Sequence, residues 1–104
     1  MLNINKETDG NNLTIALSGR LDTTTAPELE SELKGSLDGI TALIMDCKEL
    51  EYISSAGLRV FLSAQKTMNK QGGMIELRYP GIDEERERYR KVAEKLREFL
   101  RRYA

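Results

Sequence analysis

Histidine is absent from all 104 residues, and cysteine occurs once, as Cys47. Without imidazole the usual general base, the serine-histidine triads and histidine-ligated metal sites are excluded. A single thiol forms neither an intramolecular disulfide nor a thiolate metal cage, and no cofactor is implied. An excess of one charge is also missing: 16 basic and 17 acidic residues leave a formal net charge of −1. No global field therefore draws the chain to nucleic acid or to an anionic membrane, and recognition falls to a specific surface. No apolar run approaches the ~20 residues of a membrane span. Met1-Leu2-Asn3-Ile4-Asn5 lacks the basic region and apolar stretch of a signal peptide, so a cytoplasmic protein is expected. What is present, 39% hydrophobic content, suits one two-layer core and a single domain over residues 1–104.

Leu2 and Ile4 alternate with Asn3 and Asn5, and Leu13, Ile15 and Leu17 alternate with Thr14, Ala16 and Ser18. The pattern predicts two strands joined across Asp9-Gly10-Asn11-Asn12, with one sheet face only partly covered. A loop over Gly19-Arg20-Leu21-Asp22-Thr23-Thr24 leads to Thr25-Ala26-Pro27-Glu28, whose spacing predicts a capping box with proline in the first turn. That helix carries Ala26, Leu29, Leu33 and Leu37 to a stop at Asp38-Gly39. Ala42-Leu43-Ile44-Met45-Asp46-Cys47 reads as a central strand, with Cys47 a small buried hydrophobe that no nearby base or cation activates. A second helix from Ser55 to about residue 71 presents Leu58, Phe61, Leu62, Ala64 and Met68 and closes at Gly72-Gly73. Met74-Ile75-Glu76-Leu77-Arg78-Tyr79 returns to strand before Pro80-Gly81.

Strand-helix-strand-helix-strand requires right-handed crossovers between parallel strands. The expected fold is α/β: a four-stranded mixed sheet in the order β-β-α-β-α-β-α, with helices mainly on one face and a long C-terminal helix. Sequential strand order would bring the Arg20-Asp22-Thr23 loop and the Ser54-Ser55 corner to the same carboxyl end of the sheet.

The C-terminal segment puts Tyr89, Val92, Ala93, Leu96, Phe99, Leu100 and Tyr103 on one helical stripe. Acids crowd its first turn and bases its last, and Glu84/Arg88, Glu87/Lys91 and Glu98/Arg102 have the favoured acid-first i,i+4 order. Such consistency is what design imposes, although a natural charged amphipathic helix has the same look, so residues 80–104 read as an atypical tail of designed or natural origin. Its stripe suits the chain's own sheet in a monomer, or a dimer through the same helix, while its arginines read as a solvated face.

Two adjacent hydroxyls fall where the second helix begins. Ser54 suits an N-cap, which explains one of them. Ser55 would project from the first turn, where the helix dipole favours a phosphate dianion, and Arg59 lies four residues on along the same face. A hydrolase using Ser55 is the enzymatic alternative. It has only half of a glycine-x-serine-x-glycine elbow, in Ser55-Ala56-Gly57, and no histidine.

Leu21-Asp22-Thr23, the run Leu43-Ile44-Met45-Asp46, and Tyr52-Ile53-Ser54-Ser55-Ala56-Gly57-Leu58-Arg59-Val60 resemble the STAS domain of bacterial anti-sigma factor antagonists, over about residues 1–79. The resemblance implies a small α/β domain without catalytic activity that binds an anti-sigma factor, itself a serine kinase. Phosphorylation at the start of the second helix breaks that complex, and a metal-dependent serine phosphatase restores it. Aligned on Gly57-Leu58, the phosphoacceptor falls on Ser55. Ser54 stands where the family often has aspartate, which keeps it as the alternative acceptor. Asp22, Thr23, Ser54, Ser55, Gly57 and Arg59 form the expected partner-binding set, with a loop-capping aspartate as the other reading of Asp22. The competing expectation is a redesigned STAS-fold scaffold that has lost signalling.

Overall fold

The computed structural model describes residues 1–79 and 87–103. Strand β1 (Leu2–Asp9) pairs antiparallel with β2 (Asn12–Leu21) through a tight turn, in register from Leu2↔Gly19 to Asp9↔Asn12. After helix α1 (Ala26–Leu33), β3 (Ala42–Ile53) pairs parallel with β2; after helix α2 (Ser55–Lys70), β4 (Met74–Arg78) pairs parallel with β3. The sheet order is β1-β2-β3-β4, the sequential order that puts successive right-handed crossovers on one face. Helix α3 (Glu87–Tyr103) completes the described fold. The strand end at Pro80-Gly81, the beginning of the C-terminal helix and the Glu84/Arg88 pair lie outside the described residues.

One hydrophobic cluster joins the inward residues of the strands, including Ile15, Leu17, Leu43, Met45 and Ile53, to the apolar stripes of all three helices. Val92, Leu96 and Phe99 of α3 belong to it, and the Phe99 ring meets that of Phe61 from α2 edge-on at 6.4 Å. The C-terminal helix is thus a packed element of the helical layer, beside α2. Across the sheet, Asn3 and Asn5 are exposed and Ala16 and Ser18 half-buried, the partly covered face that the alternation predicts.

Strand β3 runs to Ile53, well past the predicted end at Cys47, and β2 includes Gly19, Arg20 and Leu21, which the sequence reading assigns to a loop. The reason is a pair of irregularities. Between Ala16 and Ser18 of β2 the partner residue on β3 advances from Asp46 to Glu49, and between Gly19 and Arg20 it advances from Leu50 to Tyr52. Each step inserts one extra residue into β3, as a bulge does. The bulges return Leu50 and Ile53 to the core side at intervals of three, and both are fully buried. Strict alternation cannot reveal such a strand.

Helix α1 ends at Leu33 instead of at Asp38-Gly39. Lys34 turns to extended backbone, and Gly35 then takes a left-handed conformation, with φ of +80°, that ends the helix. Leu37 still reaches the core, from the turn that follows.

The predicted capping box at Thr25 does not form: Thr25 has helical backbone angles and makes no side-chain cap. Asp22 takes that role. Its Oδ1 accepts the amides of Thr24 and Thr25, each at 3.0 Å, and its carbonyl accepts the Ala26 amide at 2.8 Å. The Thr25 hydroxyl is turned back into the loop instead: it accepts the Asp22 amide at 2.9 Å and donates to the Arg20 carbonyl at 2.8 Å.

Two acids of α3 take i,i+3 partners. Glu87 pairs with Arg90 at 2.8 Å, and Glu98 with Arg101, in place of the expected Glu87/Lys91 and Glu98/Arg102 pairs.

Candidate functional site

The carboxyl ends of β2 and β3 lie side by side, with Leu21 opposite Ile53. The Leu21 carbonyl accepts the Ser54 amide at 2.9 Å, so the chain leaves the sheet at a defined point and enters α2 immediately. Ser54 is the N-cap: its backbone is extended, with φ −99° and ψ 173°, and its Oγ accepts the Gly57 amide at 3.3 Å. Ser55 is the first residue of α2 and is exposed. Its hydroxyl has no hydrogen-bond partner among the described residues. The two serines therefore differ in availability: one hydroxyl is occupied in starting the helix, and its neighbour is free.

Gly57, expected in the partner contact, is buried instead. A Cβ there would lie 2.7 Å from Leu21 Cγ and 3.1 Å from Ile53 Cγ1, so the missing side chain is what lets the first turn of α2 sit against the ends of both strands. The bare Cα thus seats the corner.

Asp22 is half-buried in the loop after β2, where its Oδ1 organises the start of α1 and its Oδ2 lies 4.0 Å from Arg20 Nε. The Thr25 amide, with help from that of Thr24, holds its carboxyl below the ordinary aspartate range, against an opposing effect of partial desolvation. Cys47 is the opposite case. Burial, with the Asp46 charge beside it, pushes its thiol far above the ordinary value, which leaves an inert core residue.

Thr23 and Arg59 are exposed and line a groove between α1 and α2. Arg59 also lines a second groove, of about 230 Å³, between α2 and α3, together with Ser55. Thr23, Ser55 and Arg59 thus share one continuous rim, and Arg59 makes no ion pair among the described residues. Sequence reasoning missed the other wall of this second groove. Lys95 and Arg102 of α3 line it, and Lys95 also donates to the Ile53 carbonyl at 2.8 Å while lying 4.9 Å from the Tyr52 ring centre. Arg20 covers the same ring at 4.3 Å. Nothing local in the sequence links residues 40 or more positions apart.

Among the described residues no group of three or more histidine, cysteine, aspartate or glutamate side chains is arranged to hold a metal ion, and no helix is long and apolar enough to cross a membrane. The corner presents an exposed hydroxyl at the head of α2, on a rim shared with Thr23 and Arg59.

The model of the STAS domain matches residues 3–97, nearly the whole chain and most of α3. The chain belongs to the STAS domain family. Among its relatives, the anti-sigma-B factor antagonist of Bacillus subtilis (strain 168) is 29% identical over 76 residues, which cover 73% of this chain and 70% of that protein. The STAS fold here also resembles that of the anti-sigma factor antagonist SpoIIAA in its unphosphorylated form. The TM-score is 0.68 at 19% identity, with 88% of this chain and 82% of that one covered. The Bacillus cell fate determinant SpoIIAA in its phosphorylated form matches with a TM-score of 0.62 at 17% identity, over 70% of this chain and 68% of that one.

Proposed function

We propose that this STAS domain is an anti-sigma factor antagonist, that it binds an anti-sigma factor which is also a serine kinase, and that Ser55 is the phosphoacceptor whose modification ends the binding. The observation that carries this reading is the difference between the serines: Ser55 is exposed with a free hydroxyl, while the Ser54 oxygen accepts the Gly57 amide. The antagonist relative in Bacillus subtilis and the existence of a phosphorylated SpoIIAA support it.

In the transfer, Ser55 Oγ attacks the γ-phosphorus of ATP. An Oγ–P bond forms, the bond from the γ-phosphorus to the β,γ-bridging oxygen breaks, ADP leaves, and the hydroxyl proton passes to a base on the kinase. A serine phosphatase returns the hydroxyl with water. Ser55 is a substrate residue in this scheme, and the STAS domain catalyses nothing itself.

The effect on the partner follows from charge. The first turn of α2 holds no acidic side chain, so the helix start tolerates a phosphate and stays folded. The same ~1.5 to 2 negative charges at the centre of a close-packed contact add bulk and an uncompensated desolvation cost to the complex. The proposed contact comprises the rim of Asp22, Thr23, Ser54, Ser55 and Arg59, with Gly57 beneath it. Since sigma factors act on RNA polymerase, the setting is the cytoplasm.

Incubation with serine-kinase anti-sigma factors and Mg-ATP, followed by mass spectrometry, tests the assignment. One phosphate on Ser55, absent from Ser55→Ala, is expected. Modification of Ser54 alone, or none with any such kinase, would overturn it.

A further inference from the structure

The groove beside Ser55 is lined by three cationic side chains, Arg59 from α2 and Lys95 and Arg102 from α3, against one carboxylate, that of Glu98. Glu98 is already paired with Arg101. Arg59 and Arg102 make no ion pair among the described residues, and Arg102 is exposed. Lys95 is engaged with the Ile53 carbonyl, which holds α3 against the strand end that precedes the serines. Phe99 packs on Phe61 at the floor of the same helix pair. The arrangement therefore gathers three cations around a free hydroxyl against a single carboxylate that is already paired. One helix supplies the hydroxyl and one guanidinium; the other supplies the second guanidinium.

We propose that, once phosphorylated, Ser55 is bound by its own chain: the phosphate accepts hydrogen bonds from Arg102 across the groove and from Arg59 along α2, clasping α3 to α2. The clasp rests on the reading of Ser55 as the phosphoacceptor and adds to it a second consequence of phosphorylation. The modification both blocks the rim and ties down the C-terminal helix, so the phosphorylated state differs in the stability of α3 as well as in surface charge. A guanidinium matches two phosphate oxygens at once, which makes arginine the fitting residue on both walls. A phosphatase has to open the clasp before it reaches the phosphorus.

The test installs phosphoserine at position 55 during translation, so no kinase is involved, and follows two readouts in the full chain. Phosphorus NMR should show the second phosphate pKa lowered from its ordinary value of about 6 by roughly half a unit to one unit. Amide exchange over residues 96–103 should slow about two- to tenfold relative to the unmodified chain, the range expected for charge-assisted bonds at a solvated site. Arg102→Gln should abolish the slowing and restore part of the phosphate pKa, while in the unmodified chain it leaves exchange unchanged. Exchange that does not respond to the phosphate, or a response that survives Arg102→Gln, overturns the clasp. That result would leave Ser55 as a kinase substrate untouched, and a failed kinase assay would not alter this measurement.

Discussion

Lys95 Nζ donates to the Ile53 carbonyl at 2.8 Å, a bond between the middle of the last helix and the residue that ends β3. It is the polar counterpart of the Phe61–Phe99 contact, and together they make the corner at Ser54 and Ser55 a meeting point of α2, α3 and the sheet. Lys95→Met keeps the aliphatic stem and removes the donor. A part-buried hydrogen bond of this kind contributes about 1 kcal/mol. In a domain of this size, thermal denaturation should show the midpoint falling by about 4–8 °C. An unchanged midpoint would mean that the bond contributes nothing net.

The two serines should separate cleanly in stability. Ser54→Ala removes the oxygen that accepts the Gly57 amide and should cost about 0.5–2 kcal/mol in urea unfolding. Ser55→Ala removes a hydroxyl with no partner and should stay within about 0.5 kcal/mol of the parent. Equal effects would show that the capping assignment is wrong.

At Gly57 two effects oppose each other. Alanine in a helix interior is favoured over glycine by about 1 kcal/mol. The new methyl would, however, lie 2.7 Å from Leu21 Cγ and 3.1 Å from Ile53 Cγ1, both in fully buried side chains. Overpacking of that kind costs about 1–3 kcal/mol. Gly57→Ala should therefore destabilise the fold by up to about 2 kcal/mol, and a more stable variant would show that the first turn of α2 can shift away from the strand ends.

Acid should act through Asp22. Its folded pKa is depressed, chiefly by the Thr25 amide. A carboxyl of that kind contributes stability above its unfolded pKa and loses it as pH falls from near the ordinary 3.8 through the lower folded value. Asp22→Asn cannot titrate, so below about pH 4 its thermal midpoint should fall less steeply with pH than the parent's. Parallel curves for the two proteins would remove Asp22 from the acid response.

Much of the architecture is a matter of short-range pattern. Period-two alternation in residues 2–5 and 13–18 and period-3.6 stripes in α1, α2 and α3 are properties of neighbouring residues, so they specify element type and order before any contact forms. Sequential order with right-handed crossovers then brings the Asp22 loop to the same sheet end as the serines. Ser54 and Ser55 could be marked in the same way, since a serine before an apolar helical face is a local signal. Local signals failed where two neighbouring side chains could fill one role. Thr25 and Asp22 both offer an oxygen to the helix start, and only the folded loop shows the carboxylate taking the amides.

What the sequence determined by itself is the set of elements, their order and the hydroxyl at the head of α2, because each depends on residues a few positions apart. What only the tertiary structure decided is the second half of β3, where bulges against β2 replace alternation with intervals of three, and the cationic wall that α3 sets beside Ser55. Both come from contacts between segments far apart in the chain. Periodicity carries no record of such contacts, because a side chain's neighbours across a groove are chosen by the packing of whole elements.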